Sequence, residues 1–285
     1  MKKILIAGAS GQLGRHVVQQ LQQHGVMVRA LARDASKLSG LGIDGVVNGD
    51  LTMAETLRGC CDGMDAVISC AGASMNLNDF RDRKSFYEVD YRGNLNLLDE
   101  AKRANIVKFV YISLAGGDRL RHTEYGDAHE KFVAALQASE IRHTVVRPTG
   151  FFGFNLELLK FAAKGLGLVI GKGDCKTNPI HEADVATACV KALESEMSEI
   201  SIGGPQVFTR KETVEMAFAA LDRPAKLISI SPKLFKLMIS PLRIINRRVY
   251  ALMDFGIAVT QTDSVAPSFG SHTLRSYFDE AAKTI

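Results

Sequence analysis

The sequence predicts an α/β fold, a doubly wound parallel sheet with a smaller lobe toward the C-terminus. Three observations predict it. Apolar runs without alternation at 4–7, 65–70 and 108–113 read as strands buried on both faces of a parallel sheet. Helical patterns separate these runs, as crossover connections require. Gly8, Gly11 and Gly14 follow the first run directly, at G-x-x-G-x-x-G spacing.

The first element organises the rest. After the glycine turn, Leu13, Val17, Val18 and Leu21 mark one apolar face of a helix that Gly25 can cap. Gly8 permits a tight turn, Gly11 lets the backbone approach a pyrophosphate, and Gly14 lets the helix pack on the strand. The helix N-terminus, with Ser10, Gln12 and Leu13 around it, offers free N–H groups to phosphate. This is the pattern of a Rossmann-type dinucleotide domain. With one more residue between the first two glycines than G-x-G-x-x-G, it resembles the short-chain dehydrogenase/reductase superfamily in its extended or atypical branches.

Composition narrows the function classes. Hydrophobic residues make up 46% and charged residues 23% of the 285, ordinary for a globular protein. The net charge of +4 comes from 35 basic and 31 acidic residues, too even a balance to argue for nucleic acid. Cys60, Cys61, Cys70, Cys175 and Cys189 are odd in number without C-x-x-C pairing, so a cytoplasmic protein without disulfide framework or zinc site is expected. The N-terminal MKKILIAGAS imitates a signal peptide, but its short apolar run continues into the glycine turn and reads as a strand. No apolar run reaches the length of a membrane-spanning helix.

The remaining elements follow in order. A second strand at 26–32 leads to Arg33, nineteen residues beyond Gly14, where an NAD-binding protein would place an acid against the ribose. A guanidinium there can stack on adenine and grip a 2'-phosphate, with Lys37 adding a second charge. NADP(H) is therefore the preferred cofactor, with NAD(H) the alternative because Asp34 could take the ribose role. Val46 and Val47 suggest a third strand, after which Asp50 and Leu51 resemble the family's Asp-Leu pair beside the adenine ring. Thr52 and Glu55 form a capping-box pattern for a short helix. The strand at 65–70 ends in Cys70, Ala71 and Gly72, small residues where backbone can approach the cofactor. Cys70 reads as a buried small residue rather than a nucleophile.

A helix is expected over 85–105, its YEVDYRGNLNLLDEA resembling the one that follows strand four in the extended family. The fifth strand ends at Ser113, at the sheet edge where ligands gather, and Ser113 resembles the family's catalytic serine. The stretch ending in Arg147, Pro148, Thr149 and Gly150 resembles the atypical NmrA-like group. There it implies the end of strand six and a loop over the nicotinamide, with Pro148 and Thr149 at the cofactor. HEKFVAAL and RPTGFF are also similar to divinyl chlorophyllide reductases. The resemblance implies a dinucleotide domain over 1–153 and a smaller substrate-side lobe over 154–285, with about 177–203 returning to the first domain. His181-x-x-Asp184 has no third ligand at recognisable spacing, and Asp184 reads as a partner of a helix dipole, so no metal site is expected.

The family's catalytic pattern is Ser, Tyr and Lys, the last two as Y-x-x-x-K on a helix. Here it reads Tyr125-Gly-Asp-Ala-His129. Four residues return a side chain to within roughly 40° of the same face, so His129 stands where the family's lysine binds the nicotinamide ribose. Lys131, six residues from Tyr125, lies on another face. An imidazole, titrating near about 6.5, is a poor permanent charge for stabilising tyrosinate. Oxidation with a tyrosinate base is disfavoured; reduction with Tyr125 as proton donor, His129 at the ribose and Ser113 on the substrate oxygen is not. The expected activity is an NADP(H)-dependent reductase acting on a carbonyl or activated alkene of a small, partly apolar molecule. The missing lysine keeps a non-catalytic NADP(H)-binding regulator or assembly protein as the alternative. The basic, apolar stretch at 232–259 could lie on an anionic membrane, but Pro241 and Asp254 interrupt it, and helices of the substrate lobe are expected instead.

Overall fold

The computed structural model describes residues 2–75 and 83–285. The chain begins with β1 (Lys3–Ala7), α1 (Gln12–Gln23), β2 (Met27–Ala32), β3 (Gly45–Asn48) and β4 (Ala66–Ser69). A π-helical stretch over Tyr87–Gly93 runs directly into α2 (Asn94–Arg103), followed by β5 (Lys108–Ile112), α3 (Glu124–Gln137) and β6 (Arg142–Pro148). Then come α4 (Phe152–Ala163), β7 (Gly167–Ile170), β8 (Lys176–Thr177), α5 (Glu182–Ala192), β9 (Glu199–Ile202), β10 (Phe208–Thr209) and α6 (Arg210–Ala219). β11 (Leu227–Ile230), α7 (Pro232–Ile239), α8 (Leu242–Ile245), α9 (Arg247–Thr260) and α10 (Leu274–Ala282) complete it.

The main sheet has the order β3-β2-β1-β4-β5-β6-β9 and every pairing in it is parallel. This is the Rossmann-like α/β architecture. Its centre is apolar on both faces, so Ile4 and Ile6 enter one core cluster while Leu5 and Ala7 enter the other. α1 buries Val17, Val18 and Leu21 on the first face, each worth about 1.5–3 kcal/mol when withdrawn from water. β9 lies within the C-terminal half of the sequence yet extends this sheet beyond β6, and α5 adds Val185, Ala186 and Cys189 to the cluster holding α1.

A separate cluster holds the C-terminal lobe, where Phe152 and Leu159 of α4 meet Phe218 of α6 and Phe278 of α10. β8 pairs with β10 and β7 with β11 in small sheets beside it. The Thr209–Glu212 capping box forms at the start of α6. The one expected at Thr52 does not. Thr52 instead donates its hydroxyl to Asp50 two residues back, and Ala54–Leu57 is a single 3₁₀ turn without a side-chain cap. The stretch at 232–259 divides: α9 is packed, burying Val249, Ala251, Leu252 and Ile257, whereas the apolar side chains of α7 and α8 stay mostly in water. Among the described residues no helix is long and apolar enough to cross a membrane.

Candidate cofactor cleft

The strand order reverses between β1 and β4, and in open α/β sheets the crevice beyond such a switch point takes the ligand. A cleft opens there. Gly8, Ser10 and Gly11 line it from the β1–α1 turn, Arg33, Asp50 and Leu51 from beyond β2 and β3, and Cys70, Ala71 and Gly72 from beyond β4. Of the residues expected at the cofactor, these nine are brought together. Cys70 contributes as a small neutral group, its thiol pushed up to about 12 by burial.

The glycine turn is shaped for a close approach. Gly8 has φ +82°, and a Cβ on it would lie 2.8 Å from the Cys70 carbonyl. A Cβ on Gly14 would lie 2.1 Å from the Gly8 oxygen, so helix and turn meet at a distance that only glycine allows. Gly11 is the N-cap of α1 and supplies no side-chain acceptor, which leaves the first-turn N–H groups for a ligand. This cradle fits a pyrophosphate. Leu13 packs against the core, and Gln12 faces the opposite side of α1, near Gly153 and Glu182.

On the side expected to take the adenosine end, Arg33 and Asp34 are put to different uses. Asp34 Oδ1 accepts from the Ser36 amide at 3.0 Å and its hydroxyl at 2.6 Å, bonds that hold the carboxyl below its usual range. Arg33 lines the cleft, while Lys37 stands outside the lining in the 3₁₀ turn Ala35–Leu38, its carbonyl taken by Arg15 at 2.6 Å. Asp50 accepts from the Thr52 amide at 2.9 Å and from Lys84 Nζ at 2.7 Å. Burial opposes the Asp50 charge, but the bonds from Lys84 and Thr52 outweigh it and hold the carboxyl down at about 2. Lys84 itself lines the cleft, beyond any motif that spacing could identify.

The loop after β4 is held from beneath by two residues that sequence reading missed. Asp90 Oδ2 accepts from the Ala73 amide at 3.1 Å, and Asn94 Nδ2 donates to the Ala71 carbonyl at 3.3 Å. Ser69 donates to Asn94 Oδ1 at 2.6 Å, so strand end, loop and helix are tied together. The π-helical register carries Asp90, and π-helical turns recur at functional sites. A signal was present. Asp90 and Asn94 continue the spacing of buried Leu97, Leu98 and Ala101, which puts two polar residues on the interior face of a helix.

At the inner end, Ala73 and Val89 line the cleft and also join an apolar cluster with Phe86, Leu252 and Tyr125. The Tyr125 ring packs on Phe86, His129 and Phe255 at centroid distances of 5.1, 4.5 and 4.4 Å. Burial, and after it the Asp90 carboxylate, push its phenol well above the ordinary value. His129 shares the face, as its spacing required, and like Tyr125 it is not among the residues lining the cleft. The imidazole is buried away from the cleft lining, with Nδ1 2.7 Å from the Tyr111 hydroxyl and Nε2 3.4 Å from Asp90 Oδ1. It falls at helical spacing with buried Phe132, Val133 and Leu136, in the stripe that packs on the sheet.

Ser113 is buried at the end of β5, where its Oγ accepts from Arg147 Nη1 at 3.4 Å, and the described bonds do not link it to Tyr125. Arg147 is a structural cation, pairing with Glu130 on α3 and, at 2.8 Å, with Glu199 on β9. Pro148 and Thr149 also lie outside the cleft lining. The Pro148 carbonyl accepts from the Ala115 amide at 2.9 Å, and Thr149 donates its hydroxyl to the Asn178 carbonyl at 2.5 Å. Among the described residues no group of three or more His, Cys, Asp or Glu side chains could hold a metal ion. Asp184 sits in the first turn of α5 and accepts from His272 Nδ1 at 2.9 Å.

Comparisons with known proteins agree with this geometry. A family described as NAD(P)H-binding matches residues 8–196. The photosystem II assembly factor Ycf39 of Trieres chinensis is 27% identical over 241 residues, covering 82% of this chain and 74% of the relative. The chloroplastic divinyl chlorophyllide a 8-vinyl-reductase of Arabidopsis thaliana is 27% identical over 321 residues, covering 96% of this chain and 75% of the relative. An NADPH-dependent quinone oxidoreductase of Escherichia coli, solved with NADPH, superposes with a TM-score of 0.78 at 18% identity, covering 98% of this chain and 99% of that one.

Proposed function

The chain belongs to this NAD(P)H-binding family, and from that membership we propose that it is an NADPH-dependent reductase. Its substrate is a carbonyl or activated alkene of a small, partly apolar molecule. The observation that carries the reading is the position of Tyr125, whose ring joins one apolar cluster with Ala73 and Val89 of the cleft lining; a phenol is protonated at neutral pH, as a proton donor must be. NADPH, when bound, supplies the hydride. Gly8, Gly11 and the start of α1 hold its pyrophosphate, and Arg33 takes the 2'-phosphate because Asp34 is committed to Ser36. Apolar Phe86, Val89, Leu252 and Phe255 around Tyr125 exclude water and favour an apolar acceptor. Tyr125 then gives its proton to the reduced carbonyl oxygen or alkene carbon.

A second reading is a protein that binds NADPH without turning it over. The inward position of His129, with no lysine at its place, favours it, as does the name of an assembly factor among the relatives. The two are separated by measuring NADPH affinity by calorimetry beside a screen of quinones, enones and vinyl-bearing acceptors for substrate-dependent NADPH oxidation. Binding with turnover on any of these supports the reductase; binding with no turnover on all of them overturns it in favour of the regulator.

A further inference from the structure

Neither the cleft nor the lobe core accounts for α7 and α8. Leu234, Leu237 and Met238 share one face of α7 and are 51, 68 and 59% exposed, and Ile244 and Ile245 on α8 are 93 and 68% exposed. Single exposed apolar residues are normal, but five aliphatic side chains left in water within twelve residues of sequence mark an interaction site. The helices rest on a firm base, since α9 beneath them packs Phe255 against Tyr125 and buries Ala251 and Leu252.

The charge around this tip has one sign. From 231 to 253 the sequence has no Asp or Glu but carries Lys233, Lys236, Arg243, Arg247 and Arg248. Lys236 is neutralised by Asp254 at 2.7 Å and Arg247 faces Glu124 at 3.3 Å. Exposed Lys233 and Arg243 have no ion-pair partner among the described residues, and Arg243 is instead stationed over the Tyr250 ring at 5.6 Å. Apolar side chains projecting between uncompensated cations suit a surface that is anionic outside and hydrocarbon within. A protein partner suits them less. An isoleucine 93% exposed would need a matching socket in such a partner, and the polar groups around it are cations rather than the mixed hydrogen-bonding rim that protein interfaces carry.

We propose that the α7–α8 tip docks on an anionic lipid bilayer, Leu237, Met238, Ile244 and Ile245 entering the boundary between headgroups and acyl chains while Lys233 and Arg243 meet lipid phosphates. The protein lies on the membrane by this tip and does not span it.

Co-flotation of the full chain with vesicles tests this. Phosphatidylcholine vesicles containing about 30 mol% phosphatidylglycerol should carry the protein upward, pure phosphatidylcholine should not, and about 0.5 M salt should weaken the association. Ile244→Asp combined with Ile245→Asp should lower the partition at least about tenfold, and Arg243→Ala about fivefold. NADPH affinity should be unchanged in both, which establishes that they fold. Failure of the wild type to float with anionic vesicles, or flotation that the isoleucine variant leaves intact, overturns the proposal. A concentration-dependent dimer that the isoleucine variant abolishes, without vesicle binding, overturns it too and assigns the face to a second copy of the chain.

Discussion

The imidazole of His129 and the phenol of Tyr111 are joined inside the protein by a 2.7 Å hydrogen bond between Nδ1 and the hydroxyl. The other ring nitrogen, Nε2, lies 3.4 Å from Asp90 Oδ1. Burial raises the Tyr111 pKa, so the hydroxyl keeps its proton inside the protein.

These contacts suit a structural role for His129, and that role is separable from the expected ribose contact. His129→Ala leaves a buried hydroxyl without its hydrogen-bond partner and should cost about 1–3 kcal/mol, read as a lower melting temperature. NADPH affinity should stay within about twofold of wild type, because no cofactor hydrogen bond is lost. A tenfold or larger loss of NADPH affinity with little change in melting would restore the ribose role.

The proposed preference for NADPH rests on Arg33. Its guanidinium lines the cleft, while Asp34 beside it is held by Ser36. Wild type should bind NADPH more tightly than NADH, and Arg33→Ala should weaken NADPH binding by roughly ten- to a hundredfold, the equivalent of about 1.5–3 kcal/mol. NADH binding should hardly change. Equal affinity of wild type for both cofactors, measured by calorimetry, would count against the assignment.

The fold and the glycine side of the cleft were legible because their rules are local. Gly8 and Gly14 announce themselves by spacing, and the structure gives the reason in a left-handed φ and a contact that no Cβ survives. Lys84, Asp90 and Asn94 were not legible in the same way. Lys84 reaches Asp50 across 34 residues of sequence, and Asp90 reaches the Ala73 amide across 17, pairings that only the folded sheet brings together. Thr52 failed as a cap because a nearer carboxylate, Asp50, competed for its hydroxyl. Spacing put His129 and Tyr125 on one face of α3, but the direction of that face was written elsewhere, in the buried Phe132, Val133 and Leu136 that follow.

Tyr125 carries the chemical part of the proposed function. Once a substrate is found, Tyr125→Phe should lower kcat by about a hundredfold or more while leaving NADPH affinity nearly unchanged. The raised phenol also fixes the pH dependence. A donor whose pKa lies above its ordinary value stays protonated throughout the neutral range, so kcat/KM should show no loss from its ionisation below about pH 10. A fall centred between about pH 7 and 8 that disappears in Tyr125→Phe would mean the phenol ionises easily, against this assignment.

The start of α5 supplies a pH effect on stability that is independent of the cofactor. His181 is the N-cap, its Nδ1 accepting from the Ala183 amide at 3.0 Å, and its ring stacks on His272 at 4.4 Å with His16 edge-on at 5.8 Å. Burial, then the two neighbouring histidines, lower its pKa below 6.5. The cap adds a reason of its own, since a proton on Nδ1 would remove the acceptor. The unfolded chain therefore binds the proton first. Stability is full above about pH 6.5 and is lost as pH falls toward and through the lowered folded value, with His16 acting in the same direction. Melting temperature should be level above neutrality and decline between about pH 6.5 and 5, before carboxylates titrate. His181→Asn keeps a cap acceptor and removes the titration, so it should flatten the decline over that window, leaving only the share due to His16. An equally steep decline in His181→Asn would show that the histidine cluster is not its source.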